Sequence, residues 1–176
     1  MAIVAANLEN IYASLDQYLA DHLLFSDGSP VALRLHGVRR FIPPVDLPWI
    51  EAHYDFLGLQ NRFANRVSRT SAGLAVLARE PSGYLQLNCY QRARSFATRY
   101  LLASTRDLIV GAFPEGELIE IRGYESTNTP ATMEIEGHIV IDGIQEHHID
   151  TGINSGVVQY VVQIKTRYLE LYTRSV

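Results

Sequence analysis

The sequence predicts an α+β fold: an antiparallel or mixed β-sheet with an N-terminal helix and a central helix packed on one face. Three observations carry this expectation. Apolar residues recur at helical period in two separate segments, and they alternate at period two in several others, most cleanly toward the C-terminus. The order of these segments is helix, strands, helix, strands, without the regular strand-helix alternation that builds a doubly wound parallel sheet.

The first element is a helix of about 18 residues in which Val4, Leu8, Ile11, Tyr12, Leu15, Leu19 and Leu23 form one apolar stripe. Asp27-Gly28-Ser29-Pro30 ends it. Val31, Leu33 and Leu35 then alternate as a short strand, followed by the pair Arg39-Arg40 and by Pro43-Pro44, which cannot donate in a sheet ladder and so mark a loop. From Trp49, the residues Ile50, Ala52, Tyr54 and Phe56 share one face while Glu51, His53 and Asp55 share the other, the pattern of a half-buried strand.

The stretch 58–83 reads as a projecting arm or hairpin, rich in Asn and Arg, with a short apolar run at 74–77 before the turn Pro81-Ser82-Gly83. A cleaner strand follows, with Leu85, Leu87 and Cys89 opposite Gln86, Asn88 and Tyr90. Ser95 is the expected N-cap of the central helix, whose stripe is Ala97, Tyr100, Leu101, Leu108 and Ala112, with Arg99 and Arg106 away from it. Gly111, Pro114 and Gly116 stop this helix.

Leu118 to Arg122 is a short strand, and 123–156 reads as an irregular loop region around one apolar segment, Ile139 to Ile141, itself expected to be a strand with irregular flanks. The closing strand places Val158, Tyr160, Val162, Ile164, Thr166 and Tyr168 on one face, opposite Gln159, Gln163, Lys165 and Arg167. No internal repeat is visible, so residues 1–176 are expected to form a single domain.

Composition agrees with one globular core. At 176 residues, 47% hydrophobic and 19% charged, the chain is long enough to bury roughly two-thirds of its extended surface. No stretch approaches the roughly 20 apolar residues of a membrane-spanning helix, and the N-terminus lacks the basic-then-apolar layout of a signal peptide. The expectation is a protein made and used in the cytoplasm, or in a particle assembled there, with no membrane partner. The net charge of −4 hides a division along the chain: 30–106 holds eleven arginines against four acids, while 107–163 holds ten acids and one base, Arg122. Such an asymmetry suits head-to-tail contact between identical subunits, unless folding interleaves the two halves.

Motifs for chemistry are not found. Neither G-x-x-x-x-G-K-[ST] nor G-x-G-x-x-G occurs, G-x-S-x-G is missing, and Lys165 is the one lysine. His138, His147 and His148 lie near Asp142, Glu146 and Asp150, a set zinc would accept. Their spacing fits no zinc motif, and adjacent histidines in a strand point to opposite faces, so exposed histidines are the preferred reading. A Cys89–His53 nucleophile-base pair would require neighbouring strands with both side chains outward, whereas alternation puts Cys89 with the core residues Leu85 and Leu87. No catalytic residue, cofactor or metal is therefore expected. Arg62, Arg66, Arg69 and Arg79 on the arm are candidate subunit or partner contacts, ahead of a role in binding nucleic-acid phosphates.

The order of elements resembles the tail terminator, or tail completion, proteins of tailed bacteriophages. The likeness is clearest from Gly83 to Gly123: a turn ending in Gly, the strand Tyr-Leu-Gln-Leu-Asn-Cys-Tyr, a helix, the break Ala-Phe-Pro-Glu-Gly and a short strand. The amphipathic N-terminal helix and the long C-terminal strand, Gly156 to Tyr172, extend it over most of the chain, while 58–83 and 127–156 are longer than the pattern. The resemblance implies a structural virion protein and no enzyme. Six copies would form a ring on the head-proximal end of the tail tube, stop its polymerisation and join the tail to the head connector or stopper. Implied partners are the chain itself, the tail tube protein, the connector or stopper and the tail sheath, with DNA only passing through the lumen. Alternatives are another head-tail connector or baseplate component, or a small His-dependent enzyme or ligand-binding domain.

Overall fold

The structure is a computed structural model and describes residues 8–55, 67–69, 74–79, 82–92, 97–123, 135–149, 156–168 and 170–175. Two helices cover one face of a six-stranded mixed sheet, the predicted α+β class.

Helix α1 covers Leu8–His22 among the described residues, and Val4 of the expected stripe lies outside them. Its stripe is borne out, since Ile11, Leu15, Leu19 and Leu23 are fully buried. The Asp27 carboxylate accepts from the backbone N–H of Ser29 at 2.9 Å and from its hydroxyl at 2.6 Å, an Asx turn that reverses the chain. Gly28 sits at φ 79°, where a side chain would strain the backbone.

The chain then enters β1, Ala32–Arg34, which pairs in parallel with β2, Trp49–Asp55. The remaining pairings in this sheet are antiparallel. β2 lies beside β5, Ser82–Arg92; β5 beside β8, Val157–Tyr168; β8 beside β7, Ile135–Ile149; and β7 beside β6, Leu118–Arg122. The order is β1-β2-β5-β8-β7-β6. Register places Ile50 across from Cys89, Ala52 from Leu87 and Tyr54 from Leu85, then Leu85 from Ile164 and Leu87 from Val162. These residues belong to the core beneath the helices, so the alternation read in β2, β5 and β8 separates the core face from the helix-free face, although Trp49, Asn88 and Val161 on the latter are also buried.

The second helix, α2, Ala97–Ala112, contributes Thr105, Ile109 and Ala112 to the interior, followed by the fully buried Phe113. The expected stripe holds at Ala112 and the half-buried Leu108; Ser95 and the side chains of Ala97, Tyr100 and Leu101 lie outside the described residues. Tyr18 on α1 donates its hydroxyl to the carbonyl of Ala112 at 2.5 Å, which ties the helices together and satisfies a carbonyl at the end of α2. Ser14 on α1 accepts from the backbone N–H of Arg122 at 3.0 Å, fixing α1 over β6.

One expectation is corrected. The strand expected about Ile139 to Ile141 is much longer than that apolar segment: β7 runs for 15 residues. A bulge between Ile141 and Gly143 shifts the register against β8, with Gly143 at φ 149°. The core face therefore runs Ile139, Ile141, then Ile144, and this change of phase breaks the period-two signal in the sequence.

The remaining strands form a second, three-stranded sheet. β3, Val67–Arg69, pairs with β4, Leu74–Arg79, and β4 pairs with β9, Glu170–Ser175, all antiparallel. Arg79 faces Glu170 and Ser82 faces Arg167, so the β4–β9 and β5–β8 pairings share one register offset. Among the described residues, the extensive contacts of β3, β4 and β9 are with one another.

Candidate interaction surfaces

The helix-free face of the sheet is built by the alternate residues of β2, β5, β8 and β7. Across it run rows of directly opposed side chains: His53, Gln86, Gln163 and Gln145 in one, and Glu51, Asn88, Val161 and His147 in the next. The amides are joined. Gln163 Nε2 donates to Gln86 Oε1 at 3.0 Å, and Gln86 Nε2 donates to Asn88 Oδ1 at 3.0 Å. Trp49 stacks on Tyr90 with ring centroids 5.4 Å apart. The face carries a fixed pattern of amide and aromatic groups, in which Trp49, Asn88 and Val161 are buried among their neighbours and Gln86, Gln163, Gln145 and His53 are more open.

The edges of the sheet differ from that face. At one end, β1 is three residues long and is followed by the loop 35–48, whose base is fixed by Arg34: its Nε donates to the carbonyl of Val38 at 3.1 Å and its Nη1 lies 3.4 Å from Glu51 Oε1. Beyond this base the loop holds Val38, Ile42, Val45 and Leu47 in solvent, Ile42 at 92% of its free exposure. Arg39 and Arg40 lie among them, also exposed. A pocket of about 250 Å³ opens here, lined by Arg34, Gly37, Val38, Arg39, Glu51 and His53 among others. At the other end, β6 has no outward strand partner among the described residues. Leu118 and, on neighbouring β7, Ile135 are half exposed, and Glu115 and Glu117 flank the turn that leads into β6.

The group with the most altered electrostatics is an aromatic cluster between α1 and β2. Tyr12, His36 and Tyr54 lie with ring centroids 5.3 Å apart in each pair, and His36 Nδ1 accepts from the backbone N–H of Tyr54 at 3.1 Å. The Tyr54 hydroxyl donates to Asp16. Burial pushes the Asp16 carboxyl above its ordinary value, opposed by the Tyr54 hydrogen bond and by His36; burial and then Asp16 push the Tyr54 phenol up. Tyr54 is buried and its hydroxyl is engaged, and none of Asp16, Tyr54 and His36 lines the pocket beside β1. The cluster's chemistry is that of a buried tie between helix and sheet.

The other residues singled out in the sequence are dispersed. Cys89 and His53 are on neighbouring strands but opposite faces: Cys89 is fully buried across from Ile50, and His53 is exposed. Burial pushes the Cys89 thiol up to about 12, so it carries no thiolate at neutral pH. His138 and His147 are both exposed on β7, nine positions apart, which in a strand is roughly 30 Å. No group of metal-binding side chains is present among the described residues. Glu146 instead accepts from Arg106 Nη2 at 2.6 Å and Nε at 2.8 Å, and from the Tyr160 hydroxyl. This pair joins the arginine-rich and acidic halves of the chain, so folding does interleave some of their charge. Arg62 and Arg66 lie outside the described residues; Arg69 is on β3 opposite Ala75 and Arg79 on β4 opposite Glu170, with side chains outside the description.

Sequence reading missed the apolar exposure of the loop 35–48. The available signal was a proline-broken stretch with apolar residues that fit neither helical nor strand period, between two arginines and a strand.

The fold and these surfaces define an α+β domain with one helix-covered face, one open polar face and two chemically different edges. No family model and no curated protein matches the sequence. Eight solved chains match by structure. One of them superposes with a TM-score of 0.54 over 93% of this chain and 95% of its own length, at 16% identity, and its name states no function. At that identity the likeness is one of fold.

Proposed function

We propose that this chain is a structural virion protein of the tail terminator type: a ring, six copies by the family pattern, that caps the head-proximal end of the tail tube. The observation that carries this reading is the register offset that the β4–β9 and β5–β8 pairings share. With that shared offset, β4 and β9 pair in phase with β5 and β8 in the β3-β4-β9 sheet, whose extensive contacts are internal among the described residues. A sheet of this kind can reach an adjacent subunit. The open polar face supports the same reading, because a capping protein works through fixed surfaces. One side of the ring matches the last ring of tube subunits, and the other receives the connector or stopper in place of further tube.

The reading rests on the order of elements and on these surfaces. Its test is electron microscopy of purified chain mixed with tail tubes of the same virus. The expected result is added density at one end of each tube and no further elongation there. Decoration along the sides of the tubes, or no binding, would contradict it. A small ligand-binding domain is the second reading, favoured by the pocket between Arg34, Arg39, Glu51 and His53. That cavity is below the usual range for small-molecule sites, roughly 300–1,000 Å³.

A further inference from the structure

We infer that the β1 edge with its loop and the β6 edge are the two halves of one head-to-tail contact, each occupied by the opposite edge of a second copy of this chain. This rests on the ring reading and specifies the surface through which the ring closes.

Four observations converge. The edges are at opposite ends of the strand order, separated by five inter-strand gaps, or about 24 Å at roughly 4.8 Å each. Each carries solvent-exposed apolar side chains, Ile42 at 92%, Leu47 at 52% and Val45 at 48% exposure on one, Leu118 at 55% and Ile135 at 52% on the other. Their charges are opposite: Arg39 and Arg40 stand on the loop, Glu115 and Glu117 beside β6, and among the described residues none of the four is in an ion pair. Finally, the outward edge of β6 lacks a strand partner among the described residues.

An apolar patch with arginines on one end and an apolar patch with glutamates on the other are complementary between copies and not within one. Because the patches are different surfaces, the contact is heterologous. Repeating it generates a closed ring when the rotation closes, whereas a self-complementary patch would stop at a dimer. Like charges would oppose contact of two loops or of two β6 edges, so the pairing has one allowed sense.

The test is disulfide mapping in the native background, where Cys89 is fully buried and inert. Ile42→Cys and Leu118→Cys variants are prepared singly and mixed under mild oxidation with oxidised glutathione. The inference predicts a cross-linked dimer in the mixture and none in either variant alone; the double variant should give a ladder ending in a closed covalent ring. Arg39→Glu with Arg40→Glu should weaken assembly at least tenfold, and adding Glu115→Arg with Glu117→Arg should restore it. If the unsubstituted chain forms rings while the cross-links join like positions, or do not form, this contact is wrong and the ring reading stands. If the unsubstituted chain stays monomeric at every concentration, both fall.

Discussion

The Tyr54 hydroxyl on β2 donates its hydrogen bond to the Asp16 carboxylate on α1, joining residues 38 positions apart. The contact fastens the N-terminal helix across the strand next to the sheet edge, and the Tyr54 ring stacks on His36 at the start of the exposed loop. The position of that loop and the stability of the domain are therefore coupled at one partly buried polar link.

Removing the donor should be costly. Tyr54→Phe leaves Asp16 half buried without the hydroxyl, at about 1–3 kcal/mol. Urea unfolding followed by Trp49 fluorescence would measure it, and an unchanged midpoint would show that the hydrogen bond contributes nothing net.

The same link gives a signed pH dependence. Burial raises Asp16 above its ordinary value, so the folded chain binds this proton more tightly than the unfolded chain. Its contribution to stability is full below the unfolded value and is lost as pH rises through the folded one. Asp16→Asn keeps an acceptor for Tyr54 but cannot titrate. The stability advantage of the unsubstituted chain over Asp16→Asn should accordingly shrink from acid to neutral pH; an advantage that grows over that interval would reverse the sign assigned to the carboxyl.

Among the described residues Phe113 is the largest fully buried side chain, at the junction of α2 with the core and against the ring of Tyr18, 5.3 Å between centroids. Phe113→Ala should cost about 3–5 kcal/mol through the cavity it leaves. Thermal unfolding reads this directly, and a loss below 1 kcal/mol, roughly the cost of a single methylene, would mean that the junction collapses around the gap.

Two glycines with open space around them should respond in opposite directions. Gly28 adopts φ 79° and Gly111 is exposed near the end of α2, and a Cβ at either meets nothing within 4 Å. Gly28→Ala should destabilise by about 1–2 kcal/mol from backbone strain alone, while Gly111→Ala should stabilise by about 0.5 kcal/mol. Equal effects at the two sites would remove backbone conformation as the cause.

Legibility in the sequence followed burial. In β2, β5 and β8 one face is core and the other is open, so period two appears directly in residues such as Leu85, Gln86 and Leu87. The full length of β7 was hidden beyond Ile141 because its bulge at Gly143 moves the core face from odd to even positions within a single strand. Among the described side chains of α2 and its end, Thr105, Ile109, Ala112 and Phe113 face the interior, and a polar residue inside the stripe with an aromatic just past the helix end blurs the helical period. The candidate surfaces were less visible still. Exposure of Ile42 or Leu118 depends on which strand lies at the sheet edge, and the Asp16–Tyr54 link depends on packing between elements distant in the chain; neither has a local signature.

The central claim, that this chain assembles into a closed ring, is tested most directly by native mass measurement across a concentration series, followed by imaging of the heaviest species. The account predicts one discrete assembly, six times the chain mass of 19.8 kDa, with an open lumen. A monomer at every concentration would contradict it.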